Sequence, residues 1–356
     1  MAAPTVTVWR IPGKPKPGGM LGGIRHSAVA VALVAAGLGV AGVAAAAVLR
    51  AGLGSIIMAR IGPVGWVRPR WGFGRIRGVL GFGARVQQVG AVHLVREQGL
   101  TVGIAAIAGL GVLGLWTLAN RVMQVPQLLF GSLKRIFFPA IARLLDAGRV
   151  PRSLVERSIG LVGVGAVLTV PALVAAAQAL MPAVLGPEWD QVPPILLWSA
   201  LGLMIGTPIG TVAVGYLYAT EEPRVVLRCV VAKSIAWLLV AFTLVRPLGP
   251  EAVGLGWVAG GAAEAVGFGI ALKRRSGARL TRAAGVPLLL ASGAGGIGCL
   301  VAASAEPSVW LAVGAALAAL TVAGLGLLLL SRALLLETIH LARTALNRSA
   351  TRAVTS

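Results

Sequence analysis

Long apolar runs, broken at short intervals by arginine, lysine and proline, dominate this chain. They occupy residues 28–49, 159–185, 194–218, 225–245, 252–272, 286–303 and 309–330. Each is close to or above the roughly 20 residues an α-helix needs to cross a bilayer. Lipid offers no partner to an open sheet edge, so helices are expected throughout. Residues 79–138 have room for two crossings, and two divisions fit the hydropathy. Either the helices break at Arg96 to Gly99, or the first runs through to about Ala106 and the second starts near Leu113. A weaker run, 53–66, is interrupted by Arg60 and Pro63 and forms with 28–49 either a hairpin or one imperfect span. The pattern predicts an all-α fold, a polytopic transmembrane helix bundle of about 9–10 spans.

Composition strengthens this picture. The chain of 356 residues is 57% hydrophobic and 12% charged, with a mean hydropathy of +0.88, whereas a globular domain carries about 25% charged residues. The formal net charge of +21 does not point to nucleic acid, because the positives sit in short connections between apolar runs. Arg68, Arg70, Arg75 and Arg77 cluster beside Trp66 and Trp71; Arg143, Arg149, Arg152 and Arg157 fill one connection; KRRSGARLTR fills another; Arg332, Arg343, Arg348 and Arg352 mark the tail. Glu188, Asp190, Glu251 and Glu306 fall in the alternate connections. That alternation places the basic ends and the C-terminus in the cytoplasm over eight crossings between Val79 and Leu330. The basic, Pro- and Gly-rich residues 1–25 prefer the same side, which requires a hairpin between 28 and 66. The run 28–49 is too long for a signal-peptide core and is expected to be retained.

Chemistry-bearing motifs are few. Cys229 and Cys299 lie inside apolar runs without metal spacing, so no disulfide framework and no metal site are expected. Stretches such as GWVAGGAAEAVGFG suit close helix packing rather than a phosphate cradle, and no Walker or dinucleotide fingerprint occurs. No DxD-like acidic pair, His/Cys cluster or nucleophile elbow is present, so neither an enzyme nor a cofactor is expected.

One segment stands apart: residues 113–145, LGLWTLANRVMQVPQLLFGSLKRIFFPAIARLL, carry Arg121 and Pro126 within an apolar helix. This stretch resembles the hallmark of the polysaccharide biosynthesis proteins, flippases for lipid-linked oligosaccharides in the superfamily of the MATE multidrug exporters. RPRWGFGRIRGVLGFG, MPAVLGPEWDQVPPILLWSAL and GYLYATEEPR resemble further parts of that family in the same order, so the likeness covers about Arg68 to Arg274. Trp116 stands where the hallmark has tyrosine. The resemblance implies two six-helix lobes, often with two extra helices. Mapped onto this chain, 1–25 is a basic tail, 26–67 a remnant of the first lobe, 68–274 the second lobe, 275–332 the extra pair and 333–356 a basic cytoplasmic tail. The first lobe is then about four helices short. The implied substrate is a polyprenyl diphosphate carrying sugars, the implied place a bacterial inner membrane, and the implied associates a polysaccharide polymerase or glycosyltransferases beside the membrane lipids.

A charged headgroup crossing oil needs a polar hollow, and guanidinium groups match phosphate bidentately. Arg85, Gln88, Val92 and Arg96 share one helical face if the first helix of the lobe runs through to about Ala106. The alternatives are that Arg85 snorkels to the interface and that Arg96 forms an outer-loop ion pair with Glu97. Arg121 with Thr117 and Gln124 forms a second polar face, or a structural cap near the Pro126 kink. Lys233, with Trp237 at i+4, is a third candidate or a snorkelling lysine. Glu264, and with it Glu97, is a candidate for ion coupling; Glu264 alternatively forms a salt bridge with Lys233. His93 is either a bonded core residue or a proton relay. The expected function is a flippase working by alternating access through a cationic cavity. Two alternatives stand beside it: a MATE-like exporter of small cations, and a truncated, non-transporting remnant that needs a partner chain.

Overall fold

The computed structural model describes residues 73–146 and 152–330, with isolated helical positions at 42, 48–49 and 52–53. The chain divides into two units, Met1–Arg77 and Gly78–Ser356. The expected first-lobe remnant at 26–67 and the two basic tails lie almost wholly outside the described residues.

Among the described residues every regular element is helical: α1 (Phe73–Asp146), α2 (Arg152–Leu185), a 3-10 turn (Pro187–Trp189), α3 (Val192–Ala219), α4 (Pro223–Leu248), α5 (Glu251–Ser276), α6 (Leu280–Ala302) and α7 (Val309–Leu330). All seven α-helices contain a stretch long and apolar enough to cross a membrane. The chain is an all-α polytopic membrane protein.

Helix α1 holds two crossings, not one. Its membrane-compatible part, Gly83–Leu133, has 51 residues and would be about 76 Å long if straight, against a hydrocarbon core of about 30 Å. Gly109 breaks it with φ 87° and ψ 173°, a backbone conformation in which a Cβ is strongly disfavoured. The two arms fold back on one another there. Arg96 lies 4.8 Å from the Trp237 ring and Trp116 lies 6.1 Å from the same ring, yet in a straight helix positions 96 and 116 would be about 30 Å apart. Of the two divisions the hydropathy allowed, the structure has the second: the helix passes through Arg96 to Gly99 and breaks at Gly109. The described residues therefore carry eight crossings.

Three contacts fix which helix ends share a side. Glu156, in the first turns of α2, accepts from the Arg279 backbone N–H at 2.7 Å, and Arg275 pairs with Glu222 at 2.5 Å. The connections α1–α2, α3–α4 and α5–α6 thus meet at one end, with Arg152, Arg224, Arg228, Lys273, Arg274, Arg275 and Arg279. At the other end the Trp198 indole N–H donates to Glu251 at 3.3 Å, which brings the starts of α3 and α5 together.

Helices α3 and α5 approach through glycine. An added Cβ at Gly202 would stand 2.5 Å from the Trp257 carbonyl, and one at Gly261 would collide with the Gly202 carbonyl. Backbone cannot yield as a flexible side chain can, so Gly261→Leu is expected to pry the pair apart. The loss should be at least the 1–3 kcal/mol typical of overpacking, read as a lower unfolding midpoint in detergent, while Gly293→Leu, with open space around its Cα, should change little.

Candidate functional site

The close α3–α5 seam leaves a hollow of about 380 Å³ against α4 and both arms of α1. Its wall draws polar side chains from every one of these elements. His93, Arg96 and Glu97 come from the first arm of α1, Asn120 and Gln127 from the second, Thr207 and Thr211 from α3, Lys233 from α4 and Glu264 from α5.

Lys233 reaches the hollow because it shares a helical face with Val226, Val230 and Trp237, all buried. Its Nζ lies 2.5 Å from Glu264 Oε2, and the two side chains are only 14% and 12% exposed. Glu264 is lodged against a glycine shelf on α3. A Cβ added at Gly206 or Gly210 would stand 2.6 or 2.5 Å from a Glu264 carboxylate oxygen. The glycines therefore make the room the carboxylate occupies, and Thr207 and Thr211 flank it on the same helix.

Arg96 is held on two sides. One Nη donates to Glu97 Oε1 at 2.6 Å, and the guanidinium carbon sits 4.8 Å from the Trp237 ring centroid. Its Nε is buried without a hydrogen-bond partner, leaving a donor to offer in a wall where such donors are costly to strand. Trp237 stacks on Trp257 at 4.8 Å, Trp116 meets both edge-on near 6 Å, and the Trp237 Nε1 donates to the Val253 carbonyl at 3.2 Å. The rings make a rigid floor that aims the guanidinium.

Apart from His93, the lining carries two cations and two carboxylates, each cation beside a carboxylate. Buried charges are tolerated in this paired form. These four groups carry no net formal charge together, and each cation is engaged by a carboxylate.

Arg85 lies elsewhere, at the basic end, in a polar depression of about 410 Å³ with Glu221, Glu222, Arg224, Arg228 and Arg275. Gln88 is exposed and outside the hollow. Arg121, Gln124 and Thr117 form an exposed face of α1, one residue out of phase with the hollow; the Thr117 hydroxyl donates back to the Leu113 carbonyl at 2.7 Å. The face that lines it runs through Trp116, Asn120, Met123, Gln127 and Phe130. Sequence reasoning had not singled out Asn120, Gln127, Thr207, Thr211 or Trp257. Two signals could have found the first four: amides spaced by seven residues in phase with Trp116 and Phe130, and the two threonines each following a glycine.

With this geometry in view, the chain can be set beside known proteins. The profile of the family described as "Polysaccharide biosynthesis protein" matches residues 19–194. Over that segment, just under half of its length, the chain is similar to the polysaccharide biosynthesis protein family. The match takes in both arms of α1, with His93, Arg96, Glu97, Asn120 and Gln127, and stops short of Lys233 and Glu264. It begins nearer the N-terminus than the likeness read from the sequence and ends earlier. The chain is also similar to the lipopolysaccharide biosynthesis protein WzxC of Escherichia coli (strain K12), 29% identical over 136 residues. That alignment covers 37% of this chain and 28% of the relative, so the chain spans little more than a quarter of that protein. No solved structure matches.

Proposed function

We propose that this protein carries a polyprenyl-diphosphate-linked oligosaccharide from the cytoplasmic to the outer leaflet of a bacterial inner membrane, for surface polysaccharide assembly. The observation that carries the reading is the pairing of Arg96 and Lys233 with carboxylates inside one hollow among membrane helices. A diphosphate offers each cation a doubly charged, bidentate partner in place of a single carboxylate. Uptake of a coupling cation at Glu264 releases Lys233 to the headgroup, and Arg96 adds its Nε donor. Arg85, with Arg224, Arg228 and Arg275, supplies the approach at the cytoplasmic mouth. The lipid tail stays in the bilayer, alternating access moves the headgroup, and no covalent step is assigned. An inside-negative potential assists an anion moving outward by about 2.3 kcal/mol per charge per 100 mV. A polysaccharide polymerase and glycosyltransferases are the associates this role implies, and the C-terminus lies in the cytoplasm.

The test is transport of a fluorescent short-chain oligosaccharide diphosphate lipid by the full chain in vesicles. Arg96→Ala is expected to slow it roughly tenfold or more, the worth of a charge-assisted hydrogen bond. Arg121→Ala is expected to leave it unchanged, because that side chain lies outside the hollow. Equal loss, or equal retention, in the two variants would sink the assignment.

A second reading, export of a small organic cation, is favoured by Glu97, Glu264 and the tryptophan floor, which also suit a cation. Glu264→Gln separates the two. Affinity for the diphosphate headgroup is retained or raised if the anion is the cargo, whereas affinity for an organic cation falls if the cation is.

A further inference from the structure

A second hollow, of about 690 Å³, opens at the basic end between the start of α2, the end of α5 and the start of α6. Its rim is cationic: Arg152, Lys273 and Arg279 come from two connections that are distant in sequence. Glu156 joins Arg152 to Arg279 without neutralising the rim. Its Oε1 accepts from Arg152 Nε at 3.1 Å and from the Arg279 backbone N–H at 2.7 Å, so one carboxylate stands against three cations. Arg152, Lys273 and Arg279 are all exposed, unlike the cations of the transport site.

The floor is apolar and open to the outside. Val266 is 61% exposed and Ile270 49%, one helical turn apart on α5, and exposed Ala262 continues the stripe toward the bilayer centre. Gly269 lowers the wall beside them, and Leu280 closes it, its Cδ1 reaching the space a Cβ at Gly269 would fill. A basic patch serving only to set topology needs no cleft beneath it. Here three cations ring the head of a trough whose exposed apolar stripe runs about 12 Å down the helix. That combination fits an amphiphile with an anionic head at the interface and a tail lying along the helix.

We propose that this groove binds one anionic glycerophospholipid of the cytoplasmic leaflet, its phosphate held by Arg152, Lys273 and Arg279 and an acyl chain laid over Ile270 and Val266. The bound lipid ties α2, α5 and α6 together. The site is distinct from the transport hollow, and the inference does not depend on what that hollow carries.

The full chain in neutral detergent is titrated with phosphatidylglycerol, phosphatidylcholine and glycerol phosphate, with binding read by native mass spectrometry and by the thermal midpoint. Phosphatidylglycerol is expected to bind with defined stoichiometry and raise the midpoint; phosphatidylcholine and glycerol phosphate are not. Lys273→Gln with Arg279→Gln should weaken phosphatidylglycerol about 25-fold, at about fivefold per cation. Val266→Trp, an exposed change that keeps every charge, should weaken it by blocking the tail. Arg274→Gln, on the same turn but outside the groove, should not. An equal loss with Arg274→Gln would mean diffuse surface attraction, and an equal effect of glycerol phosphate would mean a phosphate site without a lipid. Either result, or wild-type binding by both the double variant and Val266→Trp, overturns the proposal.

Discussion

Lys233→Ala is expected to be among the most damaging single substitutions in the bundle, lowering stability in detergent by about 3–5 kcal/mol. The cause is what remains rather than what is lost. Glu264 stays lodged against Gly206 and Gly210, 12% exposed, with the cation that compensated it gone. Removing both charges, as Lys233→Met with Glu264→Gln, should restore most of the stability, because a neutral pair leaves no stranded charge. A double-mutant cycle on the unfolding midpoint measures this coupling. A double variant as unstable as Lys233→Ala would show that the two groups do not compensate one another. The Arg152–Glu156 pair provides the contrast: at 3.1 Å, with side chains 45% and 31% exposed, it is worth at most about 1 kcal/mol.

The sequence made the helices legible because lipid enforces one rule on every span: about 20 apolar residues with no open backbone. The alternation of basic and acidic connections likewise anticipated which ends meet, as the Glu156–Arg279 and Trp198–Glu251 contacts display. What composition left open was rotation about each helix axis. On the second arm of α1 the eye goes to Arg121, the only charge between Gly99 and Leu133, and so to the face of Thr117 and Gln124. The hollow lies on the adjacent face, that of Asn120 and Gln127, because Trp116 and Phe130 are the bulky groups that α1 buries there. A shift of one residue turns a helix by about 100°, so a site reading can miss by a whole face while the span is right. The turn at Gly109 was ambiguous for a related reason. Arg96 and Glu97 look like a loop by charge, and only a partner surface, here Trp237 and the hollow, makes a helix through them tolerable.

That partner surface sets the last expectation. Trp237→Ala should cost about 3 kcal/mol, the lower end of the range for emptying a core aromatic site, because acyl chains are themselves apolar and only packing and cavity terms remain. Trp237 is 3% exposed, stacked on Trp257, met edge-on by Trp116, and seated where a Cβ on Gly256 would touch its ring. The second consequence is functional: without the ring, Arg96 loses the face that orients it and keeps only Glu97, so headgroup transport should fall with stability. Trp237→Phe tells the two effects apart. It keeps an aromatic face under the guanidinium and gives up the bond to the Val253 carbonyl, so it should lose about 1 kcal/mol while retaining most transport. If Trp237→Phe instead stops transport while leaving the unfolding midpoint unchanged, the ring is touching cargo rather than aiming Arg96, and the role of the tryptophan floor must be reassigned.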